Sequence, residues 1–116
     1  MIASSRGDIV LLLFPNSDLR TAKRRPVLVV QADELGTGLP QVVVAMISSN
    51  LARSGHSSRV TIRRTDAHFP QSGLLSDSVI MTDNLATVRE EEIHRKLGRF
   101  DRISEVDQAL RHTLAL

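Results

Sequence analysis

Three cations, Lys23, Arg24 and Arg25, stand in a row directly before Pro26 and the aliphatic run Val27–Val30. The run reads as a core strand, and Pro26 has a fixed φ, so Arg25 starts from a well-ordered backbone. A second polar group, Ser48-Ser49-Asn50, closes the apolar run Val42–Ile47 and puts hydroxyls where another core strand emerges. Binding and catalytic groups concentrate at such scaffold-held edges. The chemistry open to a pinned guanidinium and nearby hydroxyls is recognition of an anion through charge-assisted hydrogen bonds. A snorkelling arginine and a turn-capping serine would leave the same residues in the same places.

Other constellations carry less. His56, His68, His94 and His112 are 12, 26 and 18 residues apart, too far for two metal ligands within one turn. The chain has no cysteine, which removes disulfides, thiolate catalysis and Cys-based zinc sites together. Neither a Gly-x-Ser-x-Gly elbow nor a glycine-rich phosphate loop occurs, so no metal and no cofactor is expected. Three phenylalanines are the only aromatic residues, too few for a base-stacking platform; an RNA ligand would have to be held by arginines and hydroxyls. Residues 1–64 hold nine Lys/Arg against four Asp/Glu, and residues 65–116 hold six against nine. A net charge of only +2 thus conceals a basic half that could face a polyanion, although chance asymmetry between solvated faces would look the same.

The elements that must position these groups are short. A length of 116 residues predicts one domain, residues 1–116, able to bury roughly two thirds of its unfolded surface. Its longest aliphatic runs, Ile9–Phe14 and Val42–Ile47, are far short of a membrane span, and no signal-peptide pattern surrounds Arg6; a cytoplasmic location is expected. Ile9–Phe14, Val27–Gln31 and Val42–Ser48 read as strands buried on both faces. Arg59–Arg63 alternates, with Val60 and Ile62 inward, and Ser78–Thr82 gives a further short strand. Ile103, Val106, Leu110 and Thr113/Leu114 follow helical spacing from Asp101 onward, with Asp101 or Ser104 available as cap. Several short strands and one terminal helix predict a mainly β chain, a small and strongly bent barrel.

In order along nearly the whole chain, these segments resemble the MazF/PemK family of toxin–antitoxin toxins. Arg6-Gly7-Asp8-Ile9-Val10 resembles the start of the family's first strand, and Lys23 to Gln31 the signature that opens its second. Val44 to Ser49 resembles the third strand, Asp77 to Val88 the later block containing Asp83-Asn84, and Leu97-Gly98-Arg99-Phe100 the last strand before the C-terminal helix. Departures are the absence of a double glycine between the first two strands, and Met81 and Ala86 where relatives carry arginines.

The resemblance implies an SH3-like barrel of the CcdB/MazF type with a C-terminal α-helix, forming a homodimer. It implies a metal-independent endoribonuclease that cleaves single-stranded RNA (mRNA) through the 2′-hydroxyl, inhibited by a small acidic antitoxin with a disordered tail. By the same resemblance Arg25, Ser48 and Asp83 would be catalytic, and Lys23, Arg24, Ser49 and Asn84 would bind substrate, with Arg53 and Arg59 extending the positive face. Two other readings stay open on the residues alone. One is a non-enzymatic gyrase poison of the same fold, a branch that relies on a C-terminal tryptophan absent here. The other is an inactive barrel that only binds an antitoxin.

Overall fold

Consecutive aliphatic residues become strands in this chain because the sheet is covered on both sides. The computed structural model describes residues 4–16 and 18–116. Strands β1 (Asp8–Pro15), β2 (Ala22–Val29) and β3 (Gln41–Ser48) come first, then β4 (Arg59–Ile62) and the single helical turn α1 (Phe69–Ser72). The long strand β5 (Ser78–Arg89), β6 (Ile93–Arg99) and helix α2 (Ile103–Leu114) complete the chain. All six strands form one antiparallel sheet in the order β4-β5-β3-β2-β1-β6. Among the described residues no helix is long and apolar enough to cross a membrane.

Alternation along the strands sorts the apolar side chains into two cores. On one face Ile9, Leu28, Ile47, Ile62 and Ile80 pack with Phe100 and with Val106 and Ala109 of α2. On the other, Val10, Leu12, Phe14, Val27, Val44 and Met46 pack with Ile93. The sheet curls to enclose both: β5 gives Ile80 to the first core and Ala86 and Val88 to the second. The expected bent β architecture with its C-terminal helix is therefore present. It is barrel-like but open, since β4 and β6 end the strand order without pairing.

The Arg6-Gly7-Asp8 segment ties the first strand to the C-terminal part of the chain. Gly7 takes φ +95°, a conformation natural to glycine, and receives the Phe100 amide at 2.9 Å while donating to Val29 at 2.9 Å. Asp8 is buried and meets Lys96 at 3.2 Å and Arg99 at 3.0 Å, while Arg6 pairs with Asp107 on α2.

The elements differ from expectation in four places. First, the cations do not precede β2 but lie within it, because β1 pairs with it from Ile9↔Leu28 to Pro15↔Ala22. Pro26 is tolerated there for a geometric reason. The Val30 amide donates toward β3, so by alternation position 26 also faces β3, and β2–β3 pairing stops at Val27↔Met46. Second, β5 runs past Thr82 to Arg89 across a bulge: Met46 pairs with Met81 but Ala45 with Leu85, so Thr82, Asp83 and Asn84 have no opposite residues. Third, β6 begins at Ile93 rather than Leu97; its exposed His94, Arg95 and Lys96 are edge-strand residues that hide the pattern. Fourth, neither Asp101 nor Ser104 caps α2. Arg102 occupies that position without a side-chain cap, the Ile103 amide donates to the Asp101 carbonyl at 2.8 Å, and Arg102 pairs with Glu105 at 3.2 Å.

Candidate active site

Arg25 is positioned from below by its strand and from the side by a turn. Leu12 lies opposite it on β1, and Asp18 organises the turn by accepting the Arg20 and Thr21 amides at 2.9 and 3.0 Å and the Thr21 hydroxyl. The Thr21 amide, with that of Arg20, holds the Asp18 carboxyl below its ordinary value. Asn16 spans the turn, donating Nδ2 to Thr21 Oγ1 at 2.9 Å and accepting Arg25 Nη2 at 2.8 Å on Oδ1. The Arg25 side chain is therefore half-buried and oriented. Its Nε is buried and has no hydrogen-bond partner among the described residues. Nothing in the sequence singles out Asn16, because its partner is nine residues away.

Ser48 ends β3 on the same face as Met46. Carrying the register of Val27↔Met46 two residues further sets Arg25 across from Ser48, just beyond the point where the strands stop pairing. The buried Ser48 Oγ accepts the Asn50 amide at 3.1 Å, which leaves its O–H free to donate elsewhere. Asn50 in turn caps a short 3-10 turn, Leu51–Arg53, by accepting the Ala52 amide. Ser49, by alternation, projects to the opposite side and is exposed.

The bulge in β5 presents Asp83 and Asn84. Asp83 is not free: Arg59 holds it with Nη2–Oδ2 at 2.9 Å and Nε–Oδ1 at 3.4 Å. These hydrogen bonds lower its carboxyl pKa below the ordinary carboxylate value. Arg59 is thus spent on Asp83 and on the Arg53 carbonyl, to which Nη1 donates at 3.0 Å, and does not join an open positive face. Asn84 packs its amide against Met46 Sδ at 3.0 Å.

Two clefts flank the first half of β2. A cleft of about 540 Å³ is lined by Arg25, Arg53, Asn84 and Asn16 over Phe14 and Met46. The other, about 420 Å³, gathers Lys23, Arg24, Ser49 and Arg95 over Pro26 and Leu97. Arg24 leaves β2 on the face opposite to Arg25, and Arg25 itself borders both clefts. Among the described residues no carboxylate lines either cleft. Among the described residues, eight of the fifteen Lys and Arg side chains have no carboxylate partner. Five of those eight, Lys23, Arg24, Arg25, Arg53 and Arg95, line the two clefts. Uncompensated positive charge gathered in concave surface is a site for a polyanion. The four histidines are exposed and outside both clefts; His56 and His112 meet edge to face at 5.7 Å.

Comparison with known proteins agrees with this geometry. The family described as PemK-like, MazF-like toxin of type II toxin–antitoxin system matches residues 5–114. The chain is 33% identical over 107 residues to Endoribonuclease MazF2 of Mycobacterium bovis and to Endoribonuclease MazF6 of Mycobacterium tuberculosis, covering 90% of each partner and 90% of this chain. Among solved structures it resembles an endoribonuclease in complex with its cognate antitoxin from a Mycobacterial species, with TM-score 0.74 and 19% identity over 98% of this chain and 97% of that one. It also resembles MazF of Deinococcus radiodurans, with TM-score 0.74 and 18% identity over the full length of both.

Proposed function

This chain belongs to the PemK-like, MazF-like toxin family of type II toxin–antitoxin systems, and we propose on that premise that it is a sequence-specific, metal-independent endoribonuclease acting on single-stranded RNA in the cytoplasm. The observation that carries the reading is Arg25: a half-buried guanidinium whose buried Nε has no partner and whose cleft has no carboxylate among the described residues, across from a buried serine hydroxyl. An unpaired buried polar nitrogen of this kind is unusual in a folded chain and is a mark of a functional position.

In the proposed reaction the substrate's 2′-oxygen attacks the adjacent phosphorus, the P–O5′ bond breaks, and the products are a 2′,3′-cyclic phosphate and a 5′-hydroxyl. The proton lost from the 2′-hydroxyl is balanced by one gained at O5′. Negative charge grows on the phosphoryl oxygens, where Arg25 offers a permanent cation in a fixed fork. Ser48, already accepting the Asn50 amide, donates a hydrogen bond to a phosphoryl oxygen. Asp83 was expected to act in catalysis; with its pKa depressed by Arg59 it is a feeble base, and we assign it to positioning Arg59 and the segment behind Arg53. Asn84 offers an amide to a base edge, and Lys23, Arg24 and Ser49 engage the strand beyond the scissile phosphate.

Purified protein incubated with a long unstructured RNA should produce discrete new ends with 5′-hydroxyl and 2′,3′-cyclic phosphate chemistry, in the presence of EDTA. Replacing the scissile 2′-hydroxyl by hydrogen should stop cleavage there. Products with 5′-phosphates, or activity lost on chelation and restored by magnesium, would reject the mechanism.

A further inference from the structure

We infer that Arg53 is a substrate-binding residue that grips a second phosphate of the strand engaged by Arg25; the inference rests on the ribonuclease reading and deepens it. Arg53 lines the same cleft as Arg25 and Asn84, whose volume of about 540 Å³ falls in the range of small-ligand sites, roughly 300–1,000 Å³. Its backbone is held at both ends. The amide donates to the Asn50 carbonyl at 3.1 Å, and the carbonyl accepts Arg59 Nη1 at 3.0 Å. Asn50 also donates to Ser48, so one hydrogen-bonded segment presents both the Ser48 hydroxyl and the root of Arg53.

The guanidinium rests with Nη1 3.6 Å from Met81 Sδ, a neutral contact that leaves its charge uncompensated, and no carboxylate pairs with it among the described residues. Two arginines sharing a cleft with no carboxylate repel each other. A chain carrying one charge per nucleotide relieves that repulsion when adjacent phosphates meet the two forks. Arg59, the other arginine of this region, cannot substitute, because Asp83 already occupies its fork.

The test uses the full chain, a cleavable RNA, and a fluorescent single-stranded RNA made uncleavable by 2′-fluoro substitution. Arg53→Ala should weaken binding on the order of tenfold, the size of one charge-assisted hydrogen bond. It should also raise KM by a similar factor with kcat little changed. The slope of log affinity against log salt should fall by about 0.7, the value for one phosphate contact on a single strand. Arg53→Lys should restore the slope and part of the affinity. Arg111→Ala, an exposed cation on α2 outside both clefts, should change neither. A folded Arg53→Ala protein with wild-type affinity and slope overturns the inference, as does an equal loss in Arg111→Ala, which would reduce the effect to general charge. If the wild-type protein neither binds nor cuts RNA, the ribonuclease reading falls instead.

Discussion

A buried guanidinium nitrogen without a partner costs its protein about 1–3 kcal/mol, so Arg25 is retained at a cost to stability. Arg25→Ala should therefore fold at least as stably as wild type while losing on the order of a hundredfold or more in cleavage rate, as removal of a positioned donor to a developing oxyanion does. Denaturation and single-turnover rates measured on the same preparation decide this; wild-type cleavage in the folded variant would remove Arg25 from the mechanism. Asp83 makes a different demand. Its pKa lies below the ordinary carboxylate value, so the Arg59 pair contributes fully above that ordinary value and is lost as pH falls through the lowered one. The carboxylate then stays ionised throughout the neutral range. Asp83→Asn should lower the rate by loosening Arg59 yet leave the shape of the pH–rate profile unchanged from about pH 5 to 8. Disappearance of an acid limb in that variant would restore Asp83 as a base. Arg25 and Ser48 were legible in the sequence because each ends or adjoins an apolar run. Asn16 and the Arg59–Asp83 pair were not, since their partners are set by tertiary approach across 9 and 24 residues.

Strands announced themselves where burial was two-sided and vanished where polar work interrupted them. Val42–Ser48 was readable almost to the residue, whereas β5 looked finished at Thr82 because its bulge is Thr-Asp-Asn. That bulge is what turns Asp83 toward Arg59 and Asn84 toward Met46. The α1 turn leaves no pattern in the sequence for another reason: its role is a backbone approach. A Cβ on Gly98 of β6 would collide with the Gln71 and Ser72 backbone, and one on Gly73 with Leu97. Gly98 is not in a left-handed conformation, so Gly98→Ala tests packing alone. It should destabilise by about 1–3 kcal/mol, the usual cost of overpacking, read as a lower denaturant midpoint. An unchanged midpoint would mean that α1 moves aside freely and does not help hold the adjoining cleft, whose wall includes Gly73 and Leu74.

For the molecule as a whole, the charge asymmetry of the sequence becomes geometry. Among the described residues seven cations are held in ion pairs with carboxylates, while five others converge on two clefts beside the first half of β2. RNA and an acidic, disordered antitoxin tail are both extended polyanions, so both should be drawn to this surface, the tail folding as it binds. Such a tail would have an additional foothold in the second cleft, where Leu11, Pro26 and Leu97 lie beneath Lys23, Arg24 and Arg95. The proposed two-fold dimer is constrained too. Both edges of β1 are taken by β2 and β6, so a partner copy could meet β1 only through its side-chain face, or dock on α2, or pair along the open edge of β6. Inhibition by the antitoxin should then be occlusion: the two ligands compete, and both affinities fall as salt rises. A Ser48→Ala protein, expected to bind RNA without cutting it efficiently, allows a direct titration with labelled RNA and cognate antitoxin. Competitive displacement with a steep salt dependence supports occlusion. If saturating antitoxin leaves RNA affinity intact yet still blocks cleavage by the wild-type protein, the antitoxin must act by displacing Arg25 from its place beside Asn16 instead.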